Sequence, residues 1–343
     1  MKLLGPAEIA EGAAALTLTP AGLARTPLVV VDLDREQWQY ADAAAAALRR
    51  QPGVVVVGLA HRPLPEAART LLSEFTCTLA PDGPGRYWVA GTDADLAAIV
   101  ATVDAAPRAS ITLAGLLALT ARAGVADGLT AESLAYSMLL AGPEFAAWRA
   151  GRPRRPVPDA ADPVLLERSG DTLTVSLNMP QRHNAFGHAV RDGLIEALAV
   201  AEYDSSIERV LLRGNGRSFC SGGDLDEFGS AADVSAAHLI RLGRGAAQAV
   251  HRLGPRMHAV LHGACIGAGI EVPSFAAHVE ASADAYFRLP ELSMGLVPGA
   301  GGTVGITRRI GRWRTAFLAL TGRPIDTRTA LDWGLIDAEA GRS

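Results

Sequence analysis

Lysine is nearly missing: Lys2 is the only one, so arginine supplies 31 of the 32 basic residues. A phosphate-cradling loop ending in Gly-Lys-Ser/Thr cannot be built without it, nor can a Schiff base or a lysine-bound cofactor. Cysteine is scarce as well. Cys77, Cys220 and Cys265 are far apart with no Cys-x-x-Cys, so neither a zinc knuckle nor a disulfide framework is indicated, and a reducing, cytoplasmic setting fits. No stretch reaches ~18 consecutive apolar residues, and Glu8 and Glu11 interrupt the N-terminus where a signal peptide would be apolar, so no membrane span or leader is expected. Acidic residues number 36, the net charge is −4, and no block of one sign nominates nucleic acid or a lipid surface as partner. Neither Gly-x-Ser-x-Gly nor Gly-x-Gly-x-x-Gly occurs, which argues against a serine-hydrolase elbow and a dinucleotide fingerprint.

What is present is a globular balance, 49% hydrophobic and 20% charged, over 343 residues, enough for about two domains. Residues 151–163, GRPRRPVPDAADP, hold four prolines and three arginines and read as a linker, because proline continues neither a helix nor a central strand. That divides the chain into an N-terminal α/β lobe (1–150) and a second domain (164–343). The lobe opens with a β-branched strand at 27–34, a helix over the Ala-rich 35–50 and a buried strand at 54–60, with YWVAG as a further strand. It ends in helices over 92–107 and 128–148, with Thr92 and Thr130 as N-caps. The second half repeats this grammar: strands at 173–180 and 209–214, helices over 187–203 and 235–253. Pro107-Arg108, Leu113 and Gly115 recur at the same offsets as Pro255-Arg256, Leu261 and Gly263, which is either a degenerate duplication or a chance match.

The chemistry concentrates in three Gly-rich segments, GRSFCSGGDL (216–225), HGACIGAGIE (262–271) and LPELSMGLVPGAGGT (289–303). Glycines let backbone N–H groups approach a ligand closely, and two such loops can converge on one carbonyl oxygen whose charge grows during reaction. Glu271 and Glu291 sit in these segments, each interrupting an apolar run where an idle charge would be costly. Paired carboxylates in a dry site divide acid and base work, because burial and repulsion separate their pKa values. His258 and His262 lack a third ligand and read as strand or core residues. Cys220 and Cys265 have no partnered base and read as packing residues, and RRIGRWR (308–314) reads as a solvated or subunit-contact helix rather than a phosphate site.

Five blocks in order then resemble the enoyl-CoA hydratase/isomerase (crotonase) superfamily over residues 163–338: NMPQRHNAF (178–186), SFCSGGDL, HGACIGAGIE, LPELSMGLVPGAGGT and ALTGRPIDTRTALDWGLID (319–337). The resemblance implies an α/β, crotonase-like spiral fold of repeated ββα units, to which the N-terminal lobe adds either a degenerate repeat of the same kind or unrelated structure. It implies an oxyanion hole from the N–H groups of Gly223 and Ala268, and Glu271 and Glu291 as the two acids that hold and activate a water. Hydration of an α,β-unsaturated acyl-CoA is the leading reading. Double-bond isomerisation, other enolate chemistry on CoA thioesters and a non-catalytic partner protein are the alternatives. Coenzyme A enters only as part of the substrate, with no separate cofactor and no metal. Adenine and pantetheine would lie along Arg182, His183, Asn184, Ala185, Cys220 and Ser221, with Asp224, Leu225, Gly267, Pro298 and Gly299 completing the substrate wall. The family also implies a homo-oligomer, trimer or hexamer, and leaves room for a second protein completing the site.

Two features depart from the family pattern. Ala268 and Leu289 replace a usual glycine and a commonly polar residue, which points to a different acyl group. The family's covering helices follow the last block, whereas this sequence stops at Ser343, and GLTAESLAYSMLLAGPEFAAW (128–148) resembles the missing cover. The expectation is a lid supplied in permuted order, with residues 116–150 packed near Glu271 and Glu291.

Overall fold

The β-branched runs of the first half form a parallel sheet. In the computed structural model, which describes residues 2–50, 53–156 and 161–341, this half runs β1 (Lys2–Leu4), α1 (Pro6–Ala10), β2 (Leu28–Asp32), α2 (Ala41–Arg50), β3 (Val55–Leu59), α3 (Arg69–Leu72) and β4 (Cys77–Leu79). The four strands pair in chain order, all parallel. Alternation along each strand splits their side chains between two cores. Val29, Val31 and Val56 join a small cluster with Leu71 and Phe75, while Leu28, Val30, Val55, Val57, Cys77 and Leu79 face a large one. That large core runs on through Leu173, Val210, Leu261, Phe287 and Ile336, so one face of the first sheet is buried against the second half. YWVAG contributes no strand beyond a single bridge at Val89.

Four helices follow: α4 (Asp93–Ala105), α5 (Pro107–Thr120), α6 (Val125–Leu140) and α7 (Pro143–Ala150). Thr92 caps α4 in a reciprocal box with Asp95, as expected. Thr130 is not a cap. It lies inside α6, where its hydroxyl donates to Ala126 O at 2.9 Å, and Gly142-Pro143 breaks the expected single helix in two. Residues 157–160 of the linker lie outside the described residues.

The second half contains β5 (Val164–Ser169), β6 (Thr172–Leu177), α8 (His188–Tyr203), β7 (Arg209–Gly214), α9 (Val234–Gly243), α10 (Ala246–Leu253), β8 (Met257–Leu261), β9 (Ala264–Ile266), α11 (Ala268–Glu271), β10 (His278–Ala281) and β11 (Tyr286–Arg288). It closes with α12 (Gly302–Ile310), α13 (Arg312–Thr321), β12 (Ile325–Asp326), α14 (Thr327–Trp333) and β13 (Ala338–Glu339). A six-stranded sheet runs β13-β10-β8-β7-β6-β5, parallel except for the β5–β6 hairpin, and a three-stranded sheet runs β12-β11-β9. The expected helix over 235–253 is interrupted between Gly243 and Gly245.

The matched offsets do not mark a duplication. Pro107, Leu113 and Gly115 all lie in α5, whereas Pro255 sits in a 3-10 turn and Leu261 ends β8. RRIGRWR is a seam within the chain rather than a phosphate site or an exposed helix. Arg309 donates to Ser274 O and Ala276 O, Arg312 reaches Ser73 O of the first half, and Trp313 meets Tyr87 edge to face.

Candidate active site

Two loops carry the backbone donors. A parallel bridge joins Cys220 to Cys265, with Cys220 N donating to Ala264 O and Ile266 N to Cys220 O, both at 3.1 Å. Three residues further along each strand lie Gly223 and Ala268, so this bridge sets the spacing of their N–H groups. Neither N–H donates to any group among the described residues, and both residues line the same cavity of about 570 Å3. Asn184 fixes the first loop: fully buried, it accepts from Met179 N at 2.8 Å and donates to the carbonyls of Asn215, Ser218 and Phe219.

The acids come next. Gly267 has a φ of 50°, a conformation few side chains tolerate, and a Cβ there would lie 2.6 Å from Glu291 Oε1 and 3.6 Å from Glu271 Oε1. Both carboxylates therefore crowd the same backbone atom from the cavity wall. Glu271 Oε2 accepts from Ala300 N at 2.8 Å and Gly302 N at 2.9 Å. Burial pushes its carboxyl up to about 7 despite these amides. Glu291 Oε2 is buried with no partner among the described residues, and burial first, then the neighbouring Glu271, holds this carboxyl well above the usual range. One acid is thus anchored and near its midpoint at neutrality, while burial favours the protonated form of the other.

A third acid was not legible beforehand. Glu132 of α6 is buried and takes the alternate amides of the same stretch: Gly301 N at 2.7 Å, Thr303 N at 2.9 Å and Thr303 Oγ1 at 2.7 Å. Burial and then the charge of Glu271 push it up to about 8. Residues 300–303 therefore run their N–H groups alternately to Glu271 and Glu132, binding the first half to the second. Thr120 Oγ1 adds a bond to Thr303 O at 2.7 Å, and the Tyr136 ring lies against Gly299 where a Cβ would stand. Of the expected covering segment, Leu129, Glu132, Tyr136 and Leu140 of α6 line the cavity with Glu271 and Glu291.

Of the residues singled out from sequence, Gly223, Asp224, Ala268, Glu271, Glu291 and Gly299 line the cavity. Arg182, His183, Asn184, Ala185, Cys220, Ser221, Leu225, Gly267 and Pro298 do not, and several are occupied elsewhere. Arg182 is no free phosphate contact: its guanidinium pairs with Asp224 at 2.6 Å and Asp226 at 3.2 Å. The Asn184 and Cys220 side chains are buried within the loops they shape. Ser221 N donates to His183 O, holding the two loops together, and Leu225 O accepts from Arg149. His262 Nε2 bonds Gly216 O, while the His258 ring lies 5.6 Å from that of His278 at a tilt of 50°. Sequence reasoning also missed Tyr136 and Arg241, which close the cavity from α6 and α9.

The enoyl-CoA hydratase/isomerase family profile matches residues 167–340. A probable enoyl-CoA hydratase of Bacillus subtilis is 31% identical over 159 residues, 46% of this chain and 61% of that protein. The 2,3-dehydroadipyl-CoA hydratase of Escherichia coli K12 is 31% identical over 174 residues, 50% of this chain and 67% of the other. A solved enoyl-CoA hydratase from Thermoplasma volcanium superposes with a TM-score of 0.49 at 28% identity, covering 52% of this chain and 72% of that one. The chain thus spans about 61–67% of the length of these two curated relatives. The profile covers just over half of the 343 residues and includes both acids and both donor loops, and the chain belongs to the enoyl-CoA hydratase/isomerase family of the crotonase superfamily.

Proposed function

We propose that the chain adds water across the double bond of an α,β-unsaturated acyl-CoA thioester. The observation that carries this reading is the pair Glu271 and Glu291 flanking Gly267 in the cavity that also exposes the Gly223 and Ala268 N–H groups. The thioester oxygen accepts from both N–H groups, which stabilise it most as it gains negative charge. Glu271, held by Ala300 and Gly302 and titrating near neutrality, takes a proton from water, whose oxygen bonds to Cβ while the C=C electrons move toward the thioester oxygen. Glu291, whose protonated form burial favours, gives its proton to Cα as the enolate collapses. Atoms balance as one water added, and the proton on Glu271 returns to Glu291 through solvent. Leu129, Glu132 and Tyr136 of α6 wall the same cavity, with Glu132 holding the amide stretch that positions Glu271.

The test follows loss of the conjugated-thioester absorbance over a panel of 2-enoyl-CoAs with wild type, Glu271→Gln and Glu291→Gln. Turnover by wild type with kcat lowered about 10²–10⁴-fold in each variant is expected. Conversion of 3-enoyl-CoAs to the conjugated isomers without hydration would replace this reading with isomerisation.

A further inference from the structure

Arg241 of α9 lines the cavity and has no carboxylate within ion-pair distance among the described residues. The other cations at the cavity wall are paired: Arg191 with Asp192, Arg244 with Asp192 and Glu196, His188 with Glu227. The Arg241 partners are all neutral. Nε donates to Ser133 Oγ at 3.1 Å and Nη2 to Ser133 O and Ser137 Oγ, while the guanidinium lies 4.7 Å from the Tyr136 ring centroid. Nη1 bonds to nothing among the described residues. The nearest acid along α6, Glu132, spends both oxygens on Gly301 and Thr303 rather than on Arg241. Glu132 acts on Arg241 only at a distance, and a half-buried guanidinium without a directly paired carboxylate is costly, while its planar fork matches one.

Tyr136 touches both the Arg241 guanidinium and the place of a Gly299 Cβ, so Arg241 lies one ring away from the stretch whose Ala300 and Gly302 amides hold Glu271. We propose that Arg241 stands at the acyl end of the site and selects acyl-CoA substrates whose acyl chain ends in a carboxylate, the monothioesters of dicarboxylic acids. This rests on the acyl-CoA reading of the cavity given above.

Binding separates the two ideas. Saturated CoA monothioesters of four to eight acyl carbons, ending in methyl or in carboxylate at each length, are titrated into wild type, Arg241→Met and Arg241→Lys, with free CoA as reference. The expected result is a carboxylate-ended ligand bound at least ten-fold tighter than its methyl-ended match at the best length, a difference lost in Arg241→Met and partly kept in Arg241→Lys. Equal affinity for both end groups in wild type overturns the proposal. So does a loss in Arg241→Met that is as large for free CoA, which would assign the charge to the CoA phosphates. If the end-group preference holds while no 2-enoyl-CoA is hydrated, the hydration reading fails and the Arg241 assignment stands.

Discussion

At the scale of single residues, Gly267 is the tightest constraint in the site. Gly267→Ala sets a Cβ against Glu291 Oε1 at 2.6 Å on a backbone with φ of 50°, so the acid must move. A displacement of that order costs about a hundred-fold in kcat, measured against a nearly unchanged far-ultraviolet circular dichroism spectrum. Glu132→Gln puts an amide donor where the Gly301 and Thr303 donors converge, and should lower stability by about 1–3 kcal/mol in denaturant unfolding. Glu271 and Glu291 could be read from the sequence because each breaks an apolar run. Glu132 could not: in LTAESLAY it sits beside Thr130 and Ser133, a polar stripe that an exposed helix face would also show, and its amide partners lie 169 and 171 residues away. Arg182 misled for the same reason, since its two acid partners are distant in sequence and a lone arginine looks available.

At the scale of elements, the contact of α6 with α12 depends on the absence of a side chain. A Cβ on Gly128 would stand 2.9 Å from Val304 Cγ2, so Gly128→Val wedges the two helices apart. The expected cost is about 1–3 kcal/mol of unfolding free energy with an unchanged denaturant m-value, and a larger loss of activity, because α6 carries Glu132 and Tyr136. Strands with alternating or continuous apolar residues, such as β2, β3 and β7, were legible to within a few residues. β5 was not, because five of its six residues are exposed and its pattern shows no buried face. The break between α9 and α10 hides in Gly-Arg-Gly, which helical spacing on both sides bridges without a visible stop.

At the scale of the whole molecule, the buried acids make stability depend on pH in a stated direction. Burial pushes Glu271 up to about 7 and Glu132 up to about 8, and holds Glu291 well above its usual range, against 4.5 for an unburied glutamate. Above about pH 4.5 the folded state therefore holds more protons than the unfolded one, so stability falls as pH rises through these values. The midpoint of urea unfolding should be higher at pH 5.5 than at pH 8.5, with a shallower slope in Glu132→Gln. The Pro/Arg-rich linker marks a boundary in the chain but not in the core, because composition reports backbone preference and not which faces are left uncovered. The apolar positions of β2 and β3 are hydrophobic on both faces, which already signals a sheet covered twice, yet nothing local says that the second cover is the other half of the chain. This arrangement also orders events during synthesis. Glu132 leaves the ribosome 169 residues ahead of the Gly301 amide that donates to it, roughly ten to thirty seconds at about 5–20 residues per second. For that interval the nascent chain presents the apolar face of its first sheet and helices with no mate, and a holding chaperone that recognises such surfaces has its longest opportunity there.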